Sequence, residues 1–167
     1  LTGVLRERRL EIALVFLIIV TDQVTKALVR GALPLHDSVD VIPGFLNLTR
    51  VHNTGAAFGM LNSVDFPFKT VVMSLVALGA LAGVSWYAAT VPLTDRLARI
   101  GIAAVAGGAI GNLIDRATAG YVLDFVDAYF RGWHFWAFNV ADAAITMGVI
   151  GMILDILGLG RRVSNPV

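Results

Sequence analysis

Apolar residues gather in four windows, about 10–32, 68–89, 97–114 and 140–159, each close to the length that a bilayer-crossing helix needs. Arg6, Arg8 and Arg9 precede the first window, as basic residues precede a secretory signal. Its apolar run gives way to TDQVTKALVR, not to a small-residue cleavage site, and the apolar pattern then resumes, so it reads as a retained helix. Between windows the pattern changes. In FLNLTRVHNTGAAFG, apolar and polar residues alternate up to Asn53-Thr54-Gly55, which predicts a hairpin or other β-like segment with a turn. YVLDFVDAYF and the RGWHFW after it are rich in aromatic rings. Most of these, with Trp133, His134 and Trp136, suit the belt where membrane meets water.

Composition supports the membrane reading. Of 167 residues, 57% are hydrophobic and 15% charged, and the mean hydropathy is +0.77. Soluble domains have roughly 45–50% apolar and about a quarter charged residues. The expected fold is an all-α membrane protein with four transmembrane helices, forming one domain over 1–167. A net charge of +1 creates no field that would recommend nucleic acid as a partner. The absence of cysteine excludes disulfides, thiolate metal sites and a cysteine nucleophile. The sequence opens on Leu1, and an initiator methionine is expected ahead of it.

Charge placement gives a sidedness. Arg6, Arg8, Arg9, Arg96, Arg99, Arg161 and Arg162 lie in about 25 residues of terminus and short connection. Arg30, Arg50, Lys69, Arg116 and Arg131 are spread over roughly 60 on the other side. Both termini are therefore expected in the cytoplasm, with the longer loops, about 33–67 and 115–138, facing outward.

Ionisable residues inside apolar windows need a partner, a wet cavity or a function, since each costs about 2.5–3.5 kcal/mol at a helix centre. Asp22 and Lys26 are spaced i,i+4 with the acid first, the favourable order for a pair on one face. They fit a self-neutralising pair with Lys26 snorkelling to the outer interface, or a role in a site, and the two are compatible. In GGAIGNLIDR, Gly107 and Gly111 form a small-xxx-small pair, Asn112 lies one turn after Gly108, and Asp115 and Arg116 close the helix. Spacing alone favours packing there over a platform for substrate. Asn139 and Asp142 share a face at the start of the last helix and suit its first turn. If YVLDFVDAYF is extended, Asp124 and Asp127 point opposite ways and only one can join Asp142. Asp155 reads as an interfacial charge.

Elimination narrows the chemistry. There is no HExxH, and His36, His52 and His134 are too scattered to suggest a metal site. No GxSxG, Ser-His-Asp pattern or Walker loop is present, and neither Lys26 nor Lys69 is near a serine in sequence. A set of carboxylates at one membrane depth remains. Two close carboxyls share a proton, so one can deprotonate a water while the other protonates a carbonyl oxygen or leaving amine. The sequence permits such amide hydrolysis.

Five blocks then carry a resemblance: TDQVTK at 21–26, VHNTGAAFG at 51–59, GGAIGNLIDR at 107–116, VLDF at 122–125 and FNVADAAIT at 138–146. In this order, on four spans, they resemble the lipoprotein signal peptidases, or signal peptidase II, of the bacterial inner membrane. The resemblance implies a membrane aspartyl protease that cuts diacylglyceryl-modified prolipoproteins just before the lipidated cysteine. It implies Asp124 and Asp142 as the catalytic pair. Asp22, Lys26, Asn53, Gly55, Gly108, Asn112, Arg116, Asn139 and Ala141 fall on the family's other motif positions, where they would shape the site, hold substrate or brace the pair. Asp115 and Asp127 stay outside the pair. It also implies a small β-rich periplasmic segment between the first two helices and an active site at the periplasmic face. Membrane lipids and globomycin-type inhibitors are the other implied partners; no metal or cofactor is implied, and a monomer is expected. Two rival classes are a small transporter or channel using Asp22, Lys26, Asp124 and Asp142 as a relay, and a non-catalytic scaffold packed through its glycines.

Overall fold

A computed structural model describes residues 8–55, 61, 64 and 66–158. Helix α1 (Arg9–Ala32) leads to strands β1 (Ser38–Ile42) and β2 (Leu46–Asn53). Helices α2 (Lys69–Thr90) and α3 (Arg96–Ala119) come next, then β3 (Val122–Phe130), the short β4 (Trp133–His134) and α4 (Val140–Ile156). The part of VHNTGAAFG after Gly55, the basic residues Arg6, Arg161 and Arg162, and the expected end of the last span at 159 lie outside the described residues.

The helices α1, α2 and α3 are each long and apolar enough to cross a membrane, and they carry Phe16, Leu75 and Ile100 among many exposed apolar side chains. Lipid takes the place of a core for such faces. At 17 residues, α4 is shorter than those three. Helix α3 is the hub against which α1, α2 and α4 pack, most extensively α4. Glycines allow the closest approach. A Cβ at Gly101 would stand 2.6 Å from the Gly148 carbonyl oxygen, and one at Gly108 would run into the Ala141 carbonyl. Gly107 and Gly111, the small-xxx-small pair, instead meet Ile18 and Asp22 of α1.

Two ends are sealed by identifiable groups. Leu33 is extended, as a residue before proline must be, and so stops α1. Arg50 then reaches from β2 to the freed carbonyls, its Nη1 donating to Arg30 O at 3.1 Å and Leu33 O at 3.0 Å. Helix α3 ends on Gly120, whose left-handed φ of 82° suits glycine. It therefore continues five residues past the expected end at 114, because Asp115 and Arg116 are held by partners inside the protein.

The β-rich part is broader than expected. The four strands form one antiparallel sheet in the order β1-β2-β3-β4, so half of it comes from the second long loop. The alternation at 46–53 is strand β2, but its hairpin lies before it, with β1. Past β4 the chain folds back along β3, where Phe138 O accepts from Phe125 N at 3.0 Å and Val126 N at 2.8 Å. That return sets Asn139 beside Asp124.

Candidate active site

Asp124 and Asp142 reach the site from different elements. On β3, Asp124 and Asp127 do point apart: Asp124 is 3% exposed, whereas Asp127 pairs with the exposed His134 at 3.0 Å. Asn53, at the end of β2, donates from Nδ2 to Asp124 Oδ2 at 3.0 Å. Its Oδ1 accepts from Gly55 N at 2.9 Å, an Asx turn that fixes the amide. Arg116 closes this corner by donating from Nη2 to Gly55 O at 2.9 Å.

Asp142 belongs to a capping box. Asn139 Oδ1 accepts from Asp142 N at 2.9 Å, and Asp142 Oδ2 accepts from Asn139 N at 3.3 Å. The other end of the Asn139 amide, Nδ2, donates to Asp124 Oδ1 at 2.7 Å. One fully buried residue therefore holds both carboxylates. Asn112 Nδ2 adds a bond to Asp142 Oδ1 at 2.8 Å.

Behind the pair lies a buried ionic network. Lys26 is 1% exposed and does not snorkel. Its Nζ meets Asp22 at 2.8 Å, Asp115 at 2.9 Å and Asn112 Oδ1 at 3.0 Å. One ammonium cannot balance two carboxylates, so the remaining lone pairs take other donors. Asp22 Oδ1 accepts from Ala141 N at 3.0 Å, and Asp115 Oδ2 accepts from Leu123 N at 3.1 Å. Gln23 Nε2 donates to both acids and to Gly111 O. Each outgoing bond lands next to one member of the pair, Ala141 beside Asp142 and Leu123 beside Asp124.

All eleven positions singled out in the sequence thus converge at one end of the bundle. Gly108 contributes by closeness, since its missing side chain lets α4 settle where Ala141 and Asp142 are needed. Gln23 and Asp115 join the network as well, although Gln23 is not among the positions singled out in the sequence and Asp115 is expected only to stay outside the pair, as it does. Each had a signal: Gln23 is a polar residue within an apolar window, and Asp115 lies one turn from Asn112. Asp155, expected as an interfacial charge, is buried at 5% exposure.

Charge is set by this geometry. Burial, and next the Asp142 carboxylate, push the Asp124 carboxyl up to about 7, against the hydrogen bonds from Asn53 and Asn139. Near neutral pH the pair can therefore hold a single proton, and Arg116 stands within Coulombic reach of both acids.

Two carboxyls, one buried in a small sheet and one at a helix start, thus meet in a protein whose helices α1, α2 and α3 are long and apolar enough to cross a membrane. The chain belongs to the signal peptidase (SPase) II family, whose model matches residues 14–158. It is 42% identical over 153 residues to the lipoprotein signal peptidase of Symbiobacterium thermophilum, covering 92% of this chain and 97% of that one. It is 46% identical over 140 residues to that of Maridesulfovibrio salexigens, covering 82% and 88%. A bacterial membrane enzyme solved by the in meso method at 2.3 Å resolution superposes with a TM-score of 0.77 at 30% identity, over 94% of this chain and 93% of the other.

Proposed function

We propose that this protein is an aspartyl endopeptidase that removes the signal peptide of diacylglyceryl-modified prolipoproteins just before the lipidated cysteine. The observation that carries the reading is the Asn139 clamp, which binds Asp124 through its side chain and Asp142 through its backbone. It holds two carboxyls at a fixed separation with one shared proton. The ionised carboxyl takes a proton from water as the water oxygen attacks the scissile carbonyl carbon, and the protonated partner gives its proton to the carbonyl oxygen. Collapse of the tetrahedral adduct delivers the first proton to the leaving nitrogen, breaks the C–N bond and returns the hydroxyl proton to the pair. Asn53, Asn112, Arg116 and Asn139 orient the acids and line the path of the peptide. Asp22, Lys26 and Ala141 brace them from behind, and Gly55 and Gly108 supply close approach.

In this reading α4 is a fourth span, since its 17 residues meet the lower limit for crossing. Both termini are cytoplasmic, and the pair opens at the periplasmic face of the inner membrane, where signal helix, lipid and water meet. The protein works as a monomer among membrane lipids, and globomycin-type inhibitors occupy the same site. The test is a gel-shift assay in detergent with a lipidated prolipoprotein and its unlipidated precursor. Wild type cleaves the lipidated form alone. Asp124→Asn and Asp142→Asn each lose at least about 10²-fold in rate while remaining folded. Near-normal turnover by either variant overturns the pair, and no cleavage by folded wild type, with ion flux in proteoliposomes, supports a relay instead.

A further inference from the structure

At the opposite end of the bundle a cavity of about 410 Å³ opens between α1 and α2 over α3. Its walls are almost wholly apolar, with Phe16 from α1 and Ala103 from α3 among them, and its polar groups are few: Arg8, Glu11, Ser85 and Arg99. Along α1 it runs from Arg8 to Ile19, about 16 Å of helix. It is thus long and apolar, with charge at one end.

That charge has a sign. Arg99 Nε donates to Glu11 Oε1 at 2.6 Å, which uses one nitrogen of the guanidinium and one oxygen of the carboxylate. Arg8 adds a second positive charge beside Glu11, so among the described residues lining the cavity two guanidiniums accompany one carboxylate. The other oxygen, Glu11 Oε2, is buried without a hydrogen-bond partner among the described residues. An orphaned carboxylate oxygen beside surplus positive charge fits a ligand with both an anionic group and a donor.

We propose that this cavity holds an acyl chain of an anionic phospholipid bearing a headgroup hydroxyl, its phosphate on Arg8 and Arg99 and its hydroxyl donating to Glu11. A signal helix is the poorer occupant, because its own leading residues are basic and the surplus arginine repels them. The diacylglyceryl group of a substrate carries no phosphate. The sidedness proposed above places the site in the inner leaflet, whereas lipid binding itself depends neither on orientation nor on cleavage.

The experiment is native mass spectrometry of the full chain in neutral detergent, titrated with dioleoyl phosphatidylglycerol, phosphatidylethanolamine or phosphatidylcholine. All three lipids carry the phosphate, but only phosphatidylglycerol lacks a headgroup cation for the surplus arginine to repel and offers a hydroxyl to Glu11, so wild type retains it about tenfold better than the other two, as expected for one hydrogen bond to a charged group. Ser85→Phe, at an exposed position on the cavity wall, fills the space and abolishes retention. Arg8→Gln, at the helix end, brings phosphatidylglycerol down to the level of phosphatidylcholine. Equal retention of all three lipids by wild type, or undiminished phosphatidylglycerol in both variants, overturns the site. Because the readout is lipid retention, a failure of the protease reading leaves this result standing, and the reverse also holds.

Discussion

Asn139 and the two carboxyls form a unit in which protonation, position and helix capping are linked. The folded chain holds the shared proton up to about pH 7, as the raised Asp124 carboxyl requires, whereas an ordinary aspartyl carboxyl, at 3.8, has released it. Between those values the folded state binds more protons than the unfolded one, so this group's contribution to stability falls as pH rises through the window. Thermal unfolding in detergent from pH 4 to 8 should show that decline, and Asp124→Asn should flatten it. Activity should be bell-shaped, with an alkaline limb near neutrality where the shared proton leaves. Asp127 belongs to a different pair, so Asp127→Asn should change turnover by less than about twofold. A loss equal to that of Asp124→Asn would put the wrong acid in the site.

At the scale of elements, the carboxyl pair comes together because α1, α3, α4 and β3 are locked by the Lys26 network and by glycine contacts. Lys26→Ala leaves Asp22 and Asp115 buried without their cation, and should destabilise the protein by about 3–5 kcal/mol in a thermal or denaturant melt. Gly108→Ala acts differently. Its Cβ meets the Ala141 carbonyl, so α4 must shift and carry Asp142 with it. A displacement of about 1 Å can cost about 10²-fold in rate. The expected signature is a fall in kcat larger than any loss of stability, measured on the lipidated substrate.

For the whole molecule, the apolar windows were readable because length and hydropathy alone decide what lipid will accept, and three of them became long helices at nearly the expected positions. The end of α3 was not, since polarity in Asp115 and Arg116 looks like an exit into water until their partners on α1 and at the β2 turn are known. The sheet was half legible. Alternation marks β2, but its partner β3 arrives 71 positions later at the Asn53–Asp124 contact, and nothing local announces that pairing. In the site, local spacing showed that Asn139 and Asp142 share a face, while the bonds of Asn112 and Asn53 to the acids depend on packing between elements. Sidedness is open to a direct check because the chain has no cysteine of its own. In intact cells, a membrane-impermeant maleimide should label Ser38→Cys and leave Thr94→Cys untouched until the membrane is broken.

The Asn139 clamp also limits how the protein can escape a drug. A compound that lodged between the two acids would lean on the group that caps α4, and replacing a cap costs about 1 kcal/mol even before catalysis is counted. Resistance by substitution at Asn139 would therefore weaken the helix and the chemistry together. Selection under such a compound should favour changes in expression level, leaving the clamp intact.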